Sequence, residues 1–380
     1  MGASMKLEPA GLFTAILVSQ LAISASPIQG LQAQAHLTEV VRIDGHVEAL
    51  TPIALTGDPS ARVAVGNGHV YVLQRQDAGI AVFDTLGARV GFLGGRGEGP
   101  GEFSNIVRVE VLPGGDVWAR DSRLNRATWF RSGDPSDPHT ERLPAKVSVP
   151  GSAGLGIRSF SFPAVEYPLS EALAIANLRQ SVSEADALPD SVRHAVFMGV
   201  VRFDGSLNRM LAVAPGEPPS LRRSDGSVVS LPFVPRPEAD IAPDGASIAW
   251  AYGWVDGERA GQIEVRVIST NGEERFRTTL MAPLREVPET EKEGWGDVPF
   301  PQNLPLTDAL VLGHDGTVWV GHTAHSGQRR FSVLTSSGAV IGDVVLPKSQ
   351  KLAAASRDWV WVLHSDEFDV ESVVKYSVSW

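Results

Sequence analysis

One short phrase recurs along this chain: a turn, then an apolar strand usually centred on an aromatic residue. It reads Asn67-Gly68-His-Val-Tyr-Val72, Gly115-Asp116-Val-Trp-Ala119, Asp244-Gly245-Ala-Ser-Ile-Ala-Trp250, Asp315-Gly316-Thr-Val-Trp-Val320 and Arg357-Asp358-Trp-Val-Trp-Val362, with a weaker copy at Ser170-Glu171-Ala-Leu-Ala-Ile175. Each copy follows a short apolar strand such as Arg62–Val65, Arg108–Val111 or Ala309–Leu312. Each precedes a strand that ends in a glycine turn, as in Ile80–Asp84, Val200–Phe203, Ile263–Ile268 and Phe331–Leu334. Asp-Gly and Asn-Gly between such strands predict type I′ hairpins, whose two central residues need positive φ. A fourth strand follows, as in Ala88–Leu93 and Arg275–Leu280. Six units of four antiparallel strands predict an all-β, six-bladed β-propeller. The centres at Tyr71, Trp118, Ala174, Ala249, Trp319 and Trp361 are unevenly spaced, so the connections vary while the strands do not.

The last unit supplies three strands: Lys351–Ala355, Trp359–Leu363 and Val370–Val378. The missing outer strand is predicted at the other end, in Leu37–Ile43, which would close the ring and remove exposed sheet edges. Residues 36–380 are expected to form one propeller domain. Residues 1–35 have the pattern of a secretory signal: Lys6 in the n-region, an apolar run from Gly11 to Ala25, and Ala33-Gln34-Ala35 as a cleavage site. That run is interrupted by Ser19-Gln20, short of the ~20 apolar residues a membrane span needs. No later stretch is apolar enough to span, so the expected product is a periplasmic or secreted bacterial protein beginning near His36. With no Cys in 380 residues, disulfides, Cys-bound metal and Cys nucleophiles are excluded. The 33 Lys and Arg against 44 Asp and Glu give a net charge of −11, which argues against nucleic acid as a partner. A monomer is expected.

The segment Gly94-Gly-Arg-Gly-Glu-Gly-Pro-Gly-Glu-Phe103 lies between one unit's fourth strand and the next unit's first. It resembles the G-x-G-x-G-P-G-x-F connector of NHL-like six-bladed propellers, particularly exported bacterial ones. Val117–Asp121 followed by Asn125-Arg126 is similar to another phrase of that repeat. The resemblance covers residues 62–132 and 308–346. It implies a platform for protein or peptide. Without it, the glycines admit positive φ and close approach, Pro100 fixes a bend, and Phe103 is expected to plug between blades. No Lys-Ser/Thr follows, so a phosphate-binding loop is excluded.

The longest insertions, Asn177–Ala195, Tyr252–Gln262 and Met281–Thr307, all fall on the face that collects loops after second strands and between blades. Loops this long in a compact domain are usually functional or disordered. The residues just past each second strand are expected to ring the channel mouth: Gln74 and Arg75, Arg120 and Asp121, Asn177 and Arg179, Tyr252 and Trp254, His322 and His325, His364 and Asp366. Arg75, Arg120, Asp121, Tyr252, Trp254, His322 and His364 form the candidate ligand-binding set, with Trp295 or Phe300 anchoring the 281–307 segment over the mouth. The expected ligand is a peptide, a protein or a polar small molecule, since Arg grips carboxylates and aromatics supply contact area. The arginines could instead pair with Asp121 or Asp366 and tie blades together. His322, His325, His364 and Asp366 are the candidate metal ligands, with zinc or calcium the weakly indicated ions and no cofactor required. The composite expectation is an exported binding or scaffold propeller. A metal-dependent hydrolase or lyase is the alternative.

Overall fold

The computed structural model describes residues 33–44, 61–149, 157, 159–179, 195–214, 220–222, 228–293, 298–368 and 370–380. The expected export signal up to Gln32, Trp295 and most of the insertion after Asn177 lie outside the described residues.

Six antiparallel four-stranded sheets form a ring, a six-bladed β-propeller. Blade one comprises Val63–Gly66, His69–Gln74, Gly79–Asp84 and Arg89–Gly94. Blade two comprises Ile106–Val111, Val117–Asp121, Arg126–Phe130 and Pro138–Arg142. Blade three comprises Phe162–Pro168, Leu173–Arg179, Val196–Arg202 and Leu207–Ala214. Blade four comprises Glu238–Ile241, Ser247–Gly253, Gln262–Ser269 and Glu274–Met281. Blade five comprises Thr307–Leu312, Val318–His322, Gln328–Leu334 and Val340–Pro347. In blade six, Gln350–Ser356, Trp359–Ser365 and Glu371–Ser379 are joined by His36–Ile43 from the other end of the chain.

A blade sits between two neighbours, so its middle strands are buried on both faces. His69–Gln74, Ser247–Gly253 and Val318–His322 are apolar runs for that reason. The core is accordingly divided into six clusters, one at each seam. Trp118, Phe160 and Phe197 fill the seam between blades two and three, and Trp250, Ile175 and Tyr167 the next. Trp319 lies between blades five and six; Trp361, Phe83 and Ile43 fill the closing seam between six and one. Trp118, Trp250, Trp319 and Trp361 are each the aromatic centre of a recurring phrase, and each is at most 2% exposed.

Every seam also carries a polar tie. Asn67 Nδ2 donates to the Gly115 carbonyl (2.9 Å), and Arg108 pairs with Glu166 (3.0 Å). Tyr167 Oη donates to the Pro243 carbonyl (2.8 Å), and the Leu312 N–H donates to Asp240 (2.8 Å). The Arg357 N–H donates to Asp315 (2.8 Å). At the closing seam, Arg62 of blade one grips Glu371 of blade six through both nitrogens of its fork.

One sequence expectation is corrected in detail, and one strand is added that the sequence reading did not include. Asn67 and Gly68 do take positive φ, as a type I′ hairpin requires (53° and 73°). In the Asp204-Gly205 and Asn271-Gly272 turns only the glycine does (85° and 89°), and the flanking ladders slip by one residue at Val200/Val201 and Val267/Ile268. These are type I turns closed by a glycine bulge. At the first of them the Asp204 carboxylate accepts the Ser206 N–H (2.9 Å), which favours the type I form. Secondly, Ala33–Gln34 form a fifth, parallel strand on the outer edge of blade five, opposite Gly342–Asp343. The Ala35 N–H donates to the Asp343 carbonyl (2.9 Å) and Ala35 is 7% exposed. A Cβ on Gly342 would collide with the Ala33 carbonyl, so this edge is shaped for the added strand. A leader cut after Ala35 would remove it.

The connector behaves as a seam plug. Phe103 is fully buried, 6.2 Å from the Phe130 ring, and its ring occupies the place a Cβ on Gly94 would take. Arg126 clamps the loop by donating to the carbonyls of Glu98 (2.6 Å), Gly99 (2.8 Å) and Glu102 (2.6 Å).

Removing residues 33–43 should lower the melting temperature sharply, because blade six loses its outer strand and Ile43 leaves the closing seam. Removing only 33–35 should lower it by a smaller amount. Ile43→Ala should cost about 2 to 5 kcal/mol, the range for a buried Ile emptied to Ala. Denaturant unfolding of the three variants checks this, and an unchanged midpoint in the longest deletion would refute closure by the two ends.

Candidate functional site

The sequence-derived residues on the long-loop face differ in what holds them. Asp121 is fully buried. One carboxylate oxygen accepts the N–H groups of Ser104 (2.6 Å) and Asn105 (3.1 Å), the other those of Arg123 (2.8 Å) and Leu124 (2.9 Å). It knots two loops, and its acceptor capacity is spent there. Arg120 reaches across to blade three, donating to the Val165 carbonyl (3.0 Å) and lying 3.8 Å from Glu166. It is a blade tie, though to Glu166 rather than to Asp121 or Asp366. Arg75 is half-buried, and burial together with the charge of Arg62 pulls its pKa below the usual guanidinium range. His364 is half-buried beside the closing seam, and Asp366 closes its own turn by accepting the N–H groups of Phe368 (2.8 Å) and Val370 (2.9 Å). His325 is exposed. Among the described residues, no three His, Cys, Asp or Glu side chains converge as metal ligands. The side chain of Arg179 lies outside the described residues, as does Trp295.

Among the described residues, the long insertion lines two cavities: residues 299–301 wall one, and 282, 283, 285 and 304–306 wall the other. The first, about 240 Å³, lies over blade four and is lined by Tyr252, Trp254, Phe300, Pro235, Pro299 and Pro301. Tyr252 meets Trp254 edge to face (5.0 Å), and Phe300 stacks on Phe233 (6.3 Å). The Arg259 guanidinium lies 3.4 Å over the Trp254 ring and is itself held by Glu264 (2.8 Å). That stacking fixes the indole plane. Asn303 Nδ2 donates to the Val255 carbonyl (3.1 Å), pinning the long segment beside the cleft.

The second cavity, about 290 Å³, lies over blade five, and His322, Arg285 and Arg330 are in its wall. Strand pairing creates its chemistry. Ser332 stands opposite Asp343 on one side and opposite Val320, two residues before His322, on the other. His322 Nε2 lies 2.9 Å from Ser332 Oγ, which donates to Asp343 Oδ1 (2.9 Å). These are the residue types of a hydrolytic triad in the wrong order. The serine sits between histidine and aspartate, is 3% exposed, and spends its proton on the carboxylate. The chain therefore orients His322 and does not activate Ser332. Burial, then the charges of Arg330 and Arg285, hold the His322 pKa down to about 3, so its ring is neutral. Ser332, Asp343, Arg259, Arg285 and Arg330 were absent from the sequence-derived set. The hairpin register around Ser336-Ser-Gly338 is the signal that brings Ser332 to Asp343.

No family model matches this sequence, and no curated protein does. Solved structures match in fold. A member of the DUF4221 family from Bacteroides vulgatus is 9% identical, with 92% of this chain and 99% of that one covered and a TM-score of 0.52. A putative exported protein from Bacteroides fragilis is 11% identical, with 91% and 95% covered and a TM-score of 0.44. A streptogramin B lyase is 12% identical, with 91% and 88% covered and a TM-score of 0.34. The chain is thus similar to bacterial propeller-type proteins.

His322 sets a pH dependence. In the unfolded chain its imidazole titrates near 6.5, but in the fold it stays neutral to about 3. The unfolded state takes up the proton first, so stability falls as pH drops from about 6.5 towards 3, by up to about 1.4 kcal/mol per pH unit. His322→Gln should flatten the acid limb of melting temperature against pH. An acid limb as steep as the wild type's would show that another group controls it.

Proposed function

We propose that this chain is an exported cell-envelope binding propeller that takes an extended peptide segment on its long-loop face. The observation that carries the reading is the cleft over blade four. Rigid aromatic and proline surfaces face one another there, the indole of Trp254 is held from behind by Arg259, and the Pro299–Pro301 stretch of the long insertion forms one wall. Clefts of this composition receive polyproline-type and apolar peptide segments, because an extended backbone loses little entropy and offers flat area to the rings. The leader-like run at residues 11–25 supports export. The NHL-like connector at 94–103 supports a platform role in place of catalysis, and the triad-type residues of blade five are ordered for hydrogen bonding and not for attack.

A display library of extended peptides panned on the wild-type protein should enrich proline- and aromatic-containing sequences. Trp254→Ala should weaken the enriched peptides by roughly tenfold or more, about 1.4 kcal/mol, without lowering the melting temperature appreciably. No enrichment over a propeller control, or equal binding by the variant, would remove the cleft from consideration.

A further inference from the structure

The cavity over blade five holds a polar group that nothing in the fold uses. His322 is 6% exposed, and its Nδ1 has no hydrogen-bond partner among the described residues. The tautomer follows from the chain behind it. The Asp343 carboxylate can only accept, so the single Ser332 hydroxyl proton is directed to it, and the Ser332 oxygen must then receive the N–H of His322 Nε2. Nδ1 is left as a bare lone pair in a cavity wall. Burying a polar atom without a partner is unfavourable, and a ligand donor would remove that cost.

Around this acceptor the cavity is cationic. Arg285 makes one hydrogen bond, Nη1 to the Thr323 carbonyl (3.2 Å), and its remaining donors are uncommitted among the described residues. Arg330 lies loosely beside Asp343 (3.7 Å). Two guanidinium forks suit a planar carboxylate. The lone pair suits a neutral N–H or O–H, because an ammonium group would meet both arginines with no free carboxylate in the cavity wall to offset them. We propose that this cavity is a carboxylate site for the carboxyl end of a peptide, with Arg285 and Arg330 taking the terminal carboxylate and His322 Nδ1 accepting the N–H of the last amide. The volume of about 290 Å³ holds one or two residues. The assignment rests on reading the long-loop face as a peptide-binding face, and the 282–306 segment that walls this cavity also walls the blade-four cleft.

Titration calorimetry with short probes tests it: an N-acetylated dipeptide acid, the same dipeptide as its carboxamide, a free amino acid and an α-hydroxy acid. The acid should bind, and the carboxamide and the free amino acid should each be at least about tenfold weaker. Arg285→Gln, at a half-buried position, and Arg330→Gln, at an exposed one, should each reduce affinity for the acid by a similar factor. His322→Gln should narrow the gap between the N-acetylated acid and an analogue methylated on the last amide nitrogen. Trp254→Ala should leave binding of these short acids unchanged, so loss of the blade-four cleft and loss of this site read separately. Equal binding of acid and carboxamide, or no binding at about millimolar concentration, would overturn the proposal. An α-hydroxy acid bound more tightly than the N-acetylated acid would overturn the peptide assignment and place a free hydroxy acid in the cavity.

Discussion

The structure depends on closing the last seam. Each blade is too thin to have a core of its own, so apolar burial occurs only where one blade faces the next. A ring with six seams is stable when all six are filled, and the sixth needs residues from both ends of the chain. Val41 and Ile43 enter that seam only because His36–Ile43 pairs with Glu371–Ser379. The Arg62–Glu371 pair then locks blade one to blade six. With no cysteine to staple the ends, strand pairing and one half-hidden ion pair perform the work a disulfide performs elsewhere.

Once the ring is closed, the connections between blades divide in role: the 94–103 loop plugs a seam with Phe103, while parts of the 282–306 segment face the cavities. The polar ties at the seams lie on the strands and short turns: Asn67, Arg108, Tyr167, Asp240, Asp315 and Arg62. Pro283 and Pro305 line the blade-five cavity, and Pro299, Phe300 and Pro301 the blade-four cleft. The same logic explains why charged residues near the mouth differ in role. Arg120 and Asp121 are adjacent in sequence, yet one spans a seam and the other is sealed under two loops. Arg75, beside the like charge of Arg62, stays half-buried.

The propeller was legible because its signals are local. Turn glycines, a centred aromatic and strand-length apolar runs recur six times, and the short blade six announced its missing strand. Even the role of Phe103 followed from its glycine-rich approach. The turn types were less legible. Asp204-Gly205 and Asn67-Gly68 look alike in sequence, but an Asp side chain that captures a backbone N–H two residues on favours type I geometry over type I′.

The sequence by itself determined the number of blades, the order of strands in each, the face on which long loops gather and the presence of Tyr252, Trp254 and His322 on that face. It could not determine what those residues do, because side-chain roles depend on neighbours that are distant along the chain. Asp121 became a loop knot only when Ser104 and Asn105 were brought over it. His322 became an oriented hydrogen-bond acceptor, neutral down to about pH 3, only when blade five set Ser332 and Asp343 behind it and burial disfavoured its charged form. Periodicity is written in single strands, whereas desolvation and hydrogen-bond partnership are properties of assembled sheets, and these were decided by the tertiary structure alone.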